Sequence, residues 1–309
     1  MRYFLTQFFN KQVRHSEYTS CYGGWFYDVK KVLRTARTTW QRIDVVETRE
    51  FGRALLLDGI TQLTETQEYQ YHEPMAHVPL LSHPCPRRAL VIGGGDGALV
   101  KEILKHPSIE HIDFVELDSG VVEFCRLYLP EMGGSAFEDS RVTLHIEDGR
   151  SFASRAQENN KKYDAIFMDM TDPAGPSLVL YTREFFAIVE KLLADSNSFF
   201  IMHSESPDCK PSLFAKIHAT LRSVFTSVTP VVSHIRMYGG LWSWAICTKG
   251  RSPHEITKET IFNRIEERGL LGLRIIGPET WQSFFALWPE HRALLSVPIE
   301  PSTDETPGY

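Results

Sequence analysis

The feature that most restricts the possible fold is an alternation of short apolar runs with helix-like segments, which begins at Arg88. The first run, ALVI (89–92), leads into a glycine-rich loop, and ALVKEILKH (98–106) then has helical periodicity. The pattern repeats in four further runs, HIDFVE (111–116), RVTLHI (141–146), YDAIFMD (163–169) and SFFIMHS (198–204). Because strands joined by helical crossovers lie parallel with helices on both faces, we expect an α/β fold with a doubly wound, mostly parallel sheet.

The chain before this region has a different pattern. Short alternating or apolar runs separated by glycine indicate β-structure at WQRIDVVET (40–48), RALLLDG (53–59) and ITQLTE (60–65). We therefore divide the chain into a small N-terminal β-domain, residues 1–65, and a larger α/β domain, residues 66–309.

Two more elements are predicted within the larger domain. ETQEYQYHEPMAHVPLL (65–81) is more helical, with Pro74 either in the first turn or at a kink. Near the other end, two apolar runs joined around Gly239 and Gly240 predict a β-hairpin that adds an antiparallel edge to the sheet.

Composition argues against several classes of function. The 309 residues have a net charge of −6 and no run of Lys or Arg, so we expect no nucleic-acid partner. The five cysteines are scattered and never form a C-x-x-C pair, which argues against a disulfide framework or a zinc site. No apolar run approaches the length that spans a membrane. We expect a cytoplasmic protein with no metal and no membrane partner.

The glycine loop, VIGGGDGALV (91–100), indicates a nucleoside site. Gly93 and Gly95 begin a G-x-G-x-x-A spacing after a strand, and Glu116 ends the next strand, where a ribose would be bound in a dinucleotide fold. Asp96, however, stands inside the loop, where a carboxylate would repel a pyrophosphate and attract a cation such as a sulfonium or an ammonium. A dehydrogenase is therefore disfavoured, although Asp96 could also act only as a helix cap.

Three acids also end predicted parallel strands, namely Glu116, Asp148 and Asp169, and Asp172 follows in a Pro-x-Gly-Pro loop. Ligands of doubly wound sheets bind where the carboxyl ends of the strands meet. Any one of these acids could be a helix cap. Together with Asp96 they predict an electronegative site for a cationic ligand, because clustered acids repel each other unless a cation lies between them.

These motifs resemble those of the polyamine aminopropyltransferases, the spermidine synthase family, from about residue 21 to residue 285. The matching segments are EFGRALLLDGITQLTE (50–65), YQYHEPMAHVPL (69–80), ALVIGGGDGALVKEILKHPSIE (89–110), VELDSGVVEFCRLYLPEM (115–132), EDG (147–149) and YDAIFMDMTDPAGP (163–176). The resemblance implies a small β-domain followed by a Rossmann-like domain of the methyltransferase type, assembled as a homodimer or homotetramer.

The resemblance also implies the reaction. An aminopropyl group would pass from decarboxylated S-adenosylmethionine, the donor co-substrate, to a di- or polyamine, and 5′-methylthioadenosine would leave. Putrescine, giving spermidine, is the default acceptor, and no prosthetic group is expected.

Roles for individual residues follow from the same resemblance. Asp169 would be the catalytic base. The donor would be bound by Gln41, Asp96, Glu116, Asp148, Gly149 and Pro176. The acceptor would be bound by Tyr71, His72, Asp96, Asp169, Asp172, Glu205 and Tyr238. Tyr71 and His72 could instead be an ordinary core aromatic and a hydrogen-bonded core histidine.

The predicted hairpin departs from the family pattern. Arg236 and Met237 stand where the family carries Thr-Tyr, Tyr238 comes one place later, and Trp242 is added. We expect Arg236 to point to solvent or to pair with an acid, since a guanidinium facing inward would repel a polyamine. The departure leaves a longer diamine or a triamine open as the acceptor.

Two other functions remain open at this point. The first is an N-methyltransferase that acts on an amine with intact S-adenosylmethionine. The second is a catalytically silent paralogue that only binds nucleoside or polyamine, against which the presence of both Asp169 and Asp172 argues.

Overall fold

The computed structural model describes residues 13–18, 23–173 and 175–308, without the side chain of Pro176. Its N-terminal part is a five-stranded antiparallel sheet whose strands follow chain order. The strands are β1 (Val13–Tyr18), β2 (Gly24–Arg37), β3 (Arg42–Thr48), β4 (Arg53–Leu57) and β5 (Ile60–Thr64). The expected N-terminal β-structure is thus confirmed.

The second sheet has seven strands and carries the predicted α/β pattern. They are β6 (Arg88–Gly93), β7 (His111–Glu116), β8 (Val142–Ile146), β9 (Ala165–Asp169), β10 (Phe199–His203), β11 (Ser227–Ile235) and β12 (Gly240–Thr248). Their order is β8-β7-β6-β9-β10-β12-β11, with the first five parallel and the β11–β12 hairpin antiparallel. From β6 the chain adds β7 and β8 on one side and then β9 and β10 on the other. The topological switch point therefore lies between β6 and β9.

The helices cover both faces of this sheet. They are α1 (Tyr69–Ser82), α2 (Ala98–Leu104), α3 (Ser119–Tyr128), α4 (Gly149–Glu158), α5 (Arg183–Leu192), α6 (Pro211–Arg222), α7 (Lys258–Glu267) and α8 (Pro289–Leu294). A 3₁₀ turn, Gly175–Leu180, follows β9. Within the described ranges, no helix has the length and apolar character needed to cross a bilayer.

Strand β6 shows why both faces must be covered. Ala89 and Val91 belong to one hydrophobic core, and Leu90 and Ile92 belong to another, because successive side chains of a strand point to opposite faces. Neither face of the strand meets water, which confirms the doubly wound architecture.

Helix α1 differs in detail from the prediction. Pro74 lies beyond the first turn, and the helix continues through both Pro74 and Pro79. The eleven residues from Tyr71 to Leu81 are all buried. Packing on every side therefore offsets the backbone hydrogen bonds that proline cannot donate.

Candidate active site

A cavity of about 430 Å³ opens at the carboxyl ends of β6, β7, β9 and β10, beside the N-terminal sheet. Nine of the residues that the sequence assigned to the site line it, namely Gln41, Tyr71, His72, Asp96, Glu116, Asp169, Asp172, Glu205 and Tyr238. These residues come from seven separate stretches of chain, so the fold brings together what the sequence separates.

The glycine loop lies directly against two of the acids. Gly94 has a φ of 72°, and a Cβ there would lie 2.9 Å from Asp169 Oδ2. A Cβ on Gly95 would lie 2.8 Å from Glu116 Oε2. Because neither glycine has a side chain, the carboxylates of Asp169 and Glu116 can lie this close to the loop backbone.

Asp96 lies in the same loop, directly before Gly97, the N-cap residue of α2. Its Oδ1 accepts a hydrogen bond of 2.8 Å from the Ala98 amide. Its carboxylate also lines the cavity, and burial raises its pKa to about 6. A cationic ligand at this position would restore the ionised form, since an opposite charge favours it.

At the nucleoside end, Glu116 is tied to a residue that the sequence reasoning missed. Glu116 Oε1 accepts a hydrogen bond of 2.8 Å from the Asp118 amide. Asp118 Oδ2 in turn accepts bonds from Thr38 Oγ1 at 2.7 Å and from Gln41 Nε2 at 3.0 Å. Asp118 thus fixes the N-terminal sheet against the glycine-loop site, and burial raises the pKa of Glu116 to about 7.

At the reacting end, Asp169 ends β9 and accepts a hydrogen bond of 2.8 Å from the Tyr71 hydroxyl. Burial raises the pKa of Tyr71 well above its ordinary value, so the phenol keeps its proton and acts as the donor. The remaining lone pairs of Asp169 can therefore face the cavity.

His72 is more than a neutral core histidine. Its Nδ1 lies 2.9 Å from the Glu68 carbonyl oxygen and 3.0 Å from Glu68 Oε2. Burial alone would lower its pKa, but the Glu68 carboxylate outweighs burial and raises the pKa to about 9. The ring therefore carries positive charge near neutral pH, which helps to balance the cluster of acids.

The far end of the cavity holds an unpredicted lysine. Lys210 Nζ lies 2.5 Å from Asp172 Oδ2 and 3.2 Å from Glu205 Oε2. Burial works against ionisation of Asp172, yet the Lys210 ammonium outweighs it and lowers the pKa of Asp172. Burial raises the pKa of Glu205 to about 8.

Aromatic rings form the wall of this end. The Tyr238 ring lies 4.9 Å from that of Trp242, and the Trp242 ring stacks on His203 at 5.9 Å. The Tyr238 hydroxyl donates to the Gln62 carbonyl at 2.6 Å, so its proton is engaged within the protein.

Two of the expected donor-binding residues, Asp148 and Gly149, are not among the described residues that line the cavity. Asp148 accepts a hydrogen bond of 2.8 Å from the Ser151 amide and caps α4. Gly149 packs so closely on Ile92 that a Cβ would lie 2.6 Å from Ile92 Cγ2. The side chain of Pro176 lies outside the described residues.

In the departed hairpin, Tyr238 and Trp242 line the cavity, whereas Arg236 and Met237 are not among its lining residues. Arg236 is exposed and its guanidinium donates to Glu50, which confirms the expectation that it pairs with an acid. Met237 is buried, and Thr64 Oγ1 donates to its sulfur at 3.4 Å.

Two family models match the chain. Residues 14–65 match the spermidine synthase tetramerisation domain, and residues 68–258 match the spermine/spermidine synthase domain. The chain belongs to the spermine/spermidine synthase family. The match of the N-terminal segment supports an oligomeric protein.

Individual members of the family are similar over nearly the whole chain. A polyamine aminopropyltransferase of Nitrosomonas europaea is 35% identical over 281 residues, which cover 91% of this chain and 85% of that protein. One of Bacillus mycoides is 37% identical over 262 residues, or 84% of this chain and 90% of that protein. A spermidine synthase solved in complex with the transition-state analogue AdoDATO is 30% identical, with a TM-score of 0.86 and coverage of 93% and 96%. The prediction of an enzyme of the aminopropyltransferase class is confirmed.

Proposed function

We propose that this enzyme transfers the aminopropyl group of decarboxylated S-adenosylmethionine to an amine, with putrescine as the default acceptor and spermidine as the product. The observation that carries the proposal is the ring of carboxylates in one cavity, with Asp96 and Glu116 at the glycine loop and Asp169 and Asp172 beyond them. Such a ring suits a donor that bears a sulfonium and an ammonium, and an acceptor that is itself a polycation.

The donor would lie along the glycine loop. Glu116 would accept hydrogen bonds from the ribose hydroxyls, with Gln41 held nearby by Asp118. Asp96 would pair with the ammonium of the aminopropyl group. Asp148, Gly149 and Pro176 would approach the adenine from the start of α4 and from the 3₁₀ turn, a role we propose on the family resemblance.

The acceptor must lose a proton before it can attack. Alkyl ammonium groups have a pKa of about 10 and have no lone pair while protonated. Asp169, oriented by Tyr71, would take that proton. The amine nitrogen then bonds to the methylene carbon next to sulfur, the carbon–sulfur bond breaks, and its electron pair leaves with neutral 5′-methylthioadenosine.

The remaining acceptor contacts would come from the other end of the cavity. Asp172 and Glu205 would hold ammonium groups, and the Tyr238 ring would offer a cation–π surface. His72 would lie beside the reacting centre, where its charge balances Asp96 and Asp169.

Assembly and domain limits belong to the same proposal. We divide the chain at residue 65, where the five-stranded sheet has ended and α1 has not begun. We propose a tetramer rather than a dimer, because residues 14–65 match a tetramerisation domain. The thiols of Cys85, Cys125, Cys209 and Cys247 are free, which favours a cytoplasmic location.

The test is to incubate the enzyme with decarboxylated S-adenosylmethionine and a panel of diamines and triamines, and to identify the products by mass. A product that carries an added aminopropyl group, together with methylthioadenosine, is expected. A parallel reaction with intact S-adenosylmethionine tests the N-methyltransferase alternative, in which the substrate carboxylate would have to lie near Asp96. A methylated amine there, and no aminopropyl product, would overturn the proposal.

A further inference from the structure

Lys210, at the far end of the cavity, is held both at its backbone amide and at its side-chain ammonium. Its backbone amide donates to the Ser206 carbonyl at 2.9 Å, directly before α6 begins. Its ammonium lies between the carboxylates of Asp172 and Glu205, and only 23% of the side chain is exposed. Lys210 is therefore part of the wall of the cavity rather than a surface side chain.

Glu205 is buried at this end of the cavity, beside the ammonium of Lys210. Its side chain is fully buried, and its backbone has a φ of 68°, which a residue other than glycine adopts only at some cost. A buried carboxyl in a strained backbone is costly unless it binds something. The cation next to it in the described part of the chain is Lys210 itself.

The charges at this end are consequently already balanced. Lys210 neutralises Asp172, and Glu205, with its pKa raised by burial to about 8, carries a proton for much of the time near neutral pH. A second ammonium from a long acceptor would have to compete with Lys210 for these two carboxylates. It would also meet the positive charge of Lys210.

We propose that Lys210 is a specificity-determining residue, whose ammonium occupies the subsite between Asp172 and Glu205 that the distal ammonium of a longer polyamine would need. The inference rests on the proposed function and deepens it. The enzyme accordingly uses diamines in preference to triamines, and the preference resides in one side chain.

The decisive variant is Lys210→Met, which keeps the length of the side chain and removes its charge. Lys210→Arg keeps the charge. Lys216→Met is a matched control, because Lys216 lies on α6, the helix that Lys210 precedes, and donates to the Glu300 carbonyl away from the cavity. Methylthioadenosine release is measured at saturating decarboxylated S-adenosylmethionine, with putrescine and with spermidine as acceptors.

Removal of one like charge from a half-buried site should raise the ratio of kcat/KM for spermidine to that for putrescine by about tenfold or more. Lys210→Arg and Lys216→Met should keep the ratio of the parent enzyme. Lys210→Gln provides a second uncharged variant in case the methionine variant folds poorly.

A binding measurement separates this inference from the proposed function. Spermidine is titrated by calorimetry into the complex of each variant with methylthioadenosine, and Lys210→Met should bind spermidine more tightly while its affinity for methylthioadenosine is unchanged. If the parent enzyme transfers an aminopropyl group but both uncharged variants keep its acceptor ratio and its spermidine affinity, Lys210 swings aside and the inference is wrong. If the parent transfers no aminopropyl group to any amine, the proposed function fails instead.

Discussion

Asp169 is the residue on which the proposed chemistry depends most directly. It ends β9, accepts the Tyr71 hydrogen bond and lies against the backbone of Gly94. These contacts orient the carboxylate by a hydrogen bond and by close packing, and leave it able to accept a proton, as a base requires.

Asp169→Asn should therefore bind methylthioadenosine normally and lose turnover by roughly two to four orders of magnitude, the usual effect of removing a general base. Single-turnover kinetics and calorimetry at neutral pH would measure the two quantities separately. Turnover close to that of the parent enzyme would show that another group takes the proton.

Asp96 should make donor binding depend on pH. In the free enzyme its pKa is raised to about 6 by burial, whereas the bound donor ammonium favours the ionised form. Binding should release a proton near pH 6, so the affinity for decarboxylated S-adenosylmethionine should fall as the pH drops through 6.

Methylthioadenosine is the internal reference for this effect, since it lacks the ammonium but shares the Glu116 contacts. The ratio of the affinity for decarboxylated S-adenosylmethionine to that for methylthioadenosine should rise with pH. It is measured by calorimetry between about pH 5 and about pH 8, a range that extends at least about one unit to either side of the pKa of Asp96. In Asp96→Asn the ratio should be flat. A ratio in the parent enzyme that does not change with pH would mean that Asp96 only caps the loop.

Among the elements, the glycine loop couples backbone conformation to the reacting carboxylate. Gly94→Ala places a Cβ 2.9 Å from Asp169 Oδ2 at a φ of 72°. We expect a loss of about 1–2 kcal/mol in the free energy of unfolding from the left-handed backbone, together with a lower kcat because Asp169 is displaced.

Gly269 provides the matched control. Its φ is also left-handed, at 61°, but a Cβ there would meet no atom within 4 Å. Gly269→Ala should lose a similar amount of stability in urea unfolding and keep its kcat. Equal kcat values for the two variants would show that the Gly94 contact does not position Asp169.

Helices α1 and α2 are joined by a buried polar network. His77 Nε2 lies 2.9 Å from Glu102 Oε2, His77 Nδ1 lies 2.9 Å from His106 Nε2, and Lys105 Nζ lies 2.6 Å from Glu102. Burial alone would raise the pKa of Glu102, but hydrogen bonds from His77 and Lys105 outweigh it and lower the pKa to about 2.

A carboxyl group whose pKa is depressed on folding stabilises the protein above its unfolded pKa. The contribution of Glu102 should be complete above about pH 4.5, amount to about 3 kcal/mol, and be lost as the pH falls toward 2. Glu102→Gln should be less stable at pH 6 and lose less stability on acidification than the parent. Urea unfolding of both proteins at about pH 6, above this window, and at about pH 3, inside it, tests the prediction. An equal loss of stability between these two pH values in the parent and in Glu102→Gln would contradict it.

At the scale of the whole molecule, the N-terminal sheet has two roles. It reaches the active site through the bonds of Thr38 and Gln41 to Asp118. It also exposes bulky apolar side chains on β2, with Phe26 58% and Val32 52% exposed. Exposed apolar side chains in a segment that matches a tetramerisation domain indicate a surface for association.

Phe26→Glu and Val32→Asp should therefore lower the molecular mass found by sedimentation from that of the proposed tetramer, because a charge in an apolar interface is costly. Leu271→Glu is the control, since Leu271 is 87% exposed and lies outside the N-terminal segment. A tetramer that survives both β2 substitutions would place the interface elsewhere.

Patterns along the chain were sufficient to predict the larger sheet and the positions of most of the acids. The carboxyl ends of β6, β7 and β9 meet at one edge in any doubly wound sheet, so Asp96, Glu116 and Asp169 could be brought together before any coordinates were known. Strand β2 was not located as an element, because five of its fourteen residues are charged and two register shifts interrupt its alternation.

The contacts that complete the site depended on distant parts of the chain. Gln41 bonds to Asp118 across 77 residues, and Lys210 bonds to Asp172 across 38. No local pattern marks such partners, because their proximity depends on how whole elements pack. Asp148 ends a predicted strand as Asp169 does, yet its carboxylate turns back to cap α4. Strand periodicity and glycine spacing place a residue at an edge of the sheet, whereas the direction of its side chain is decided by the hydrogen bonds that packing makes available.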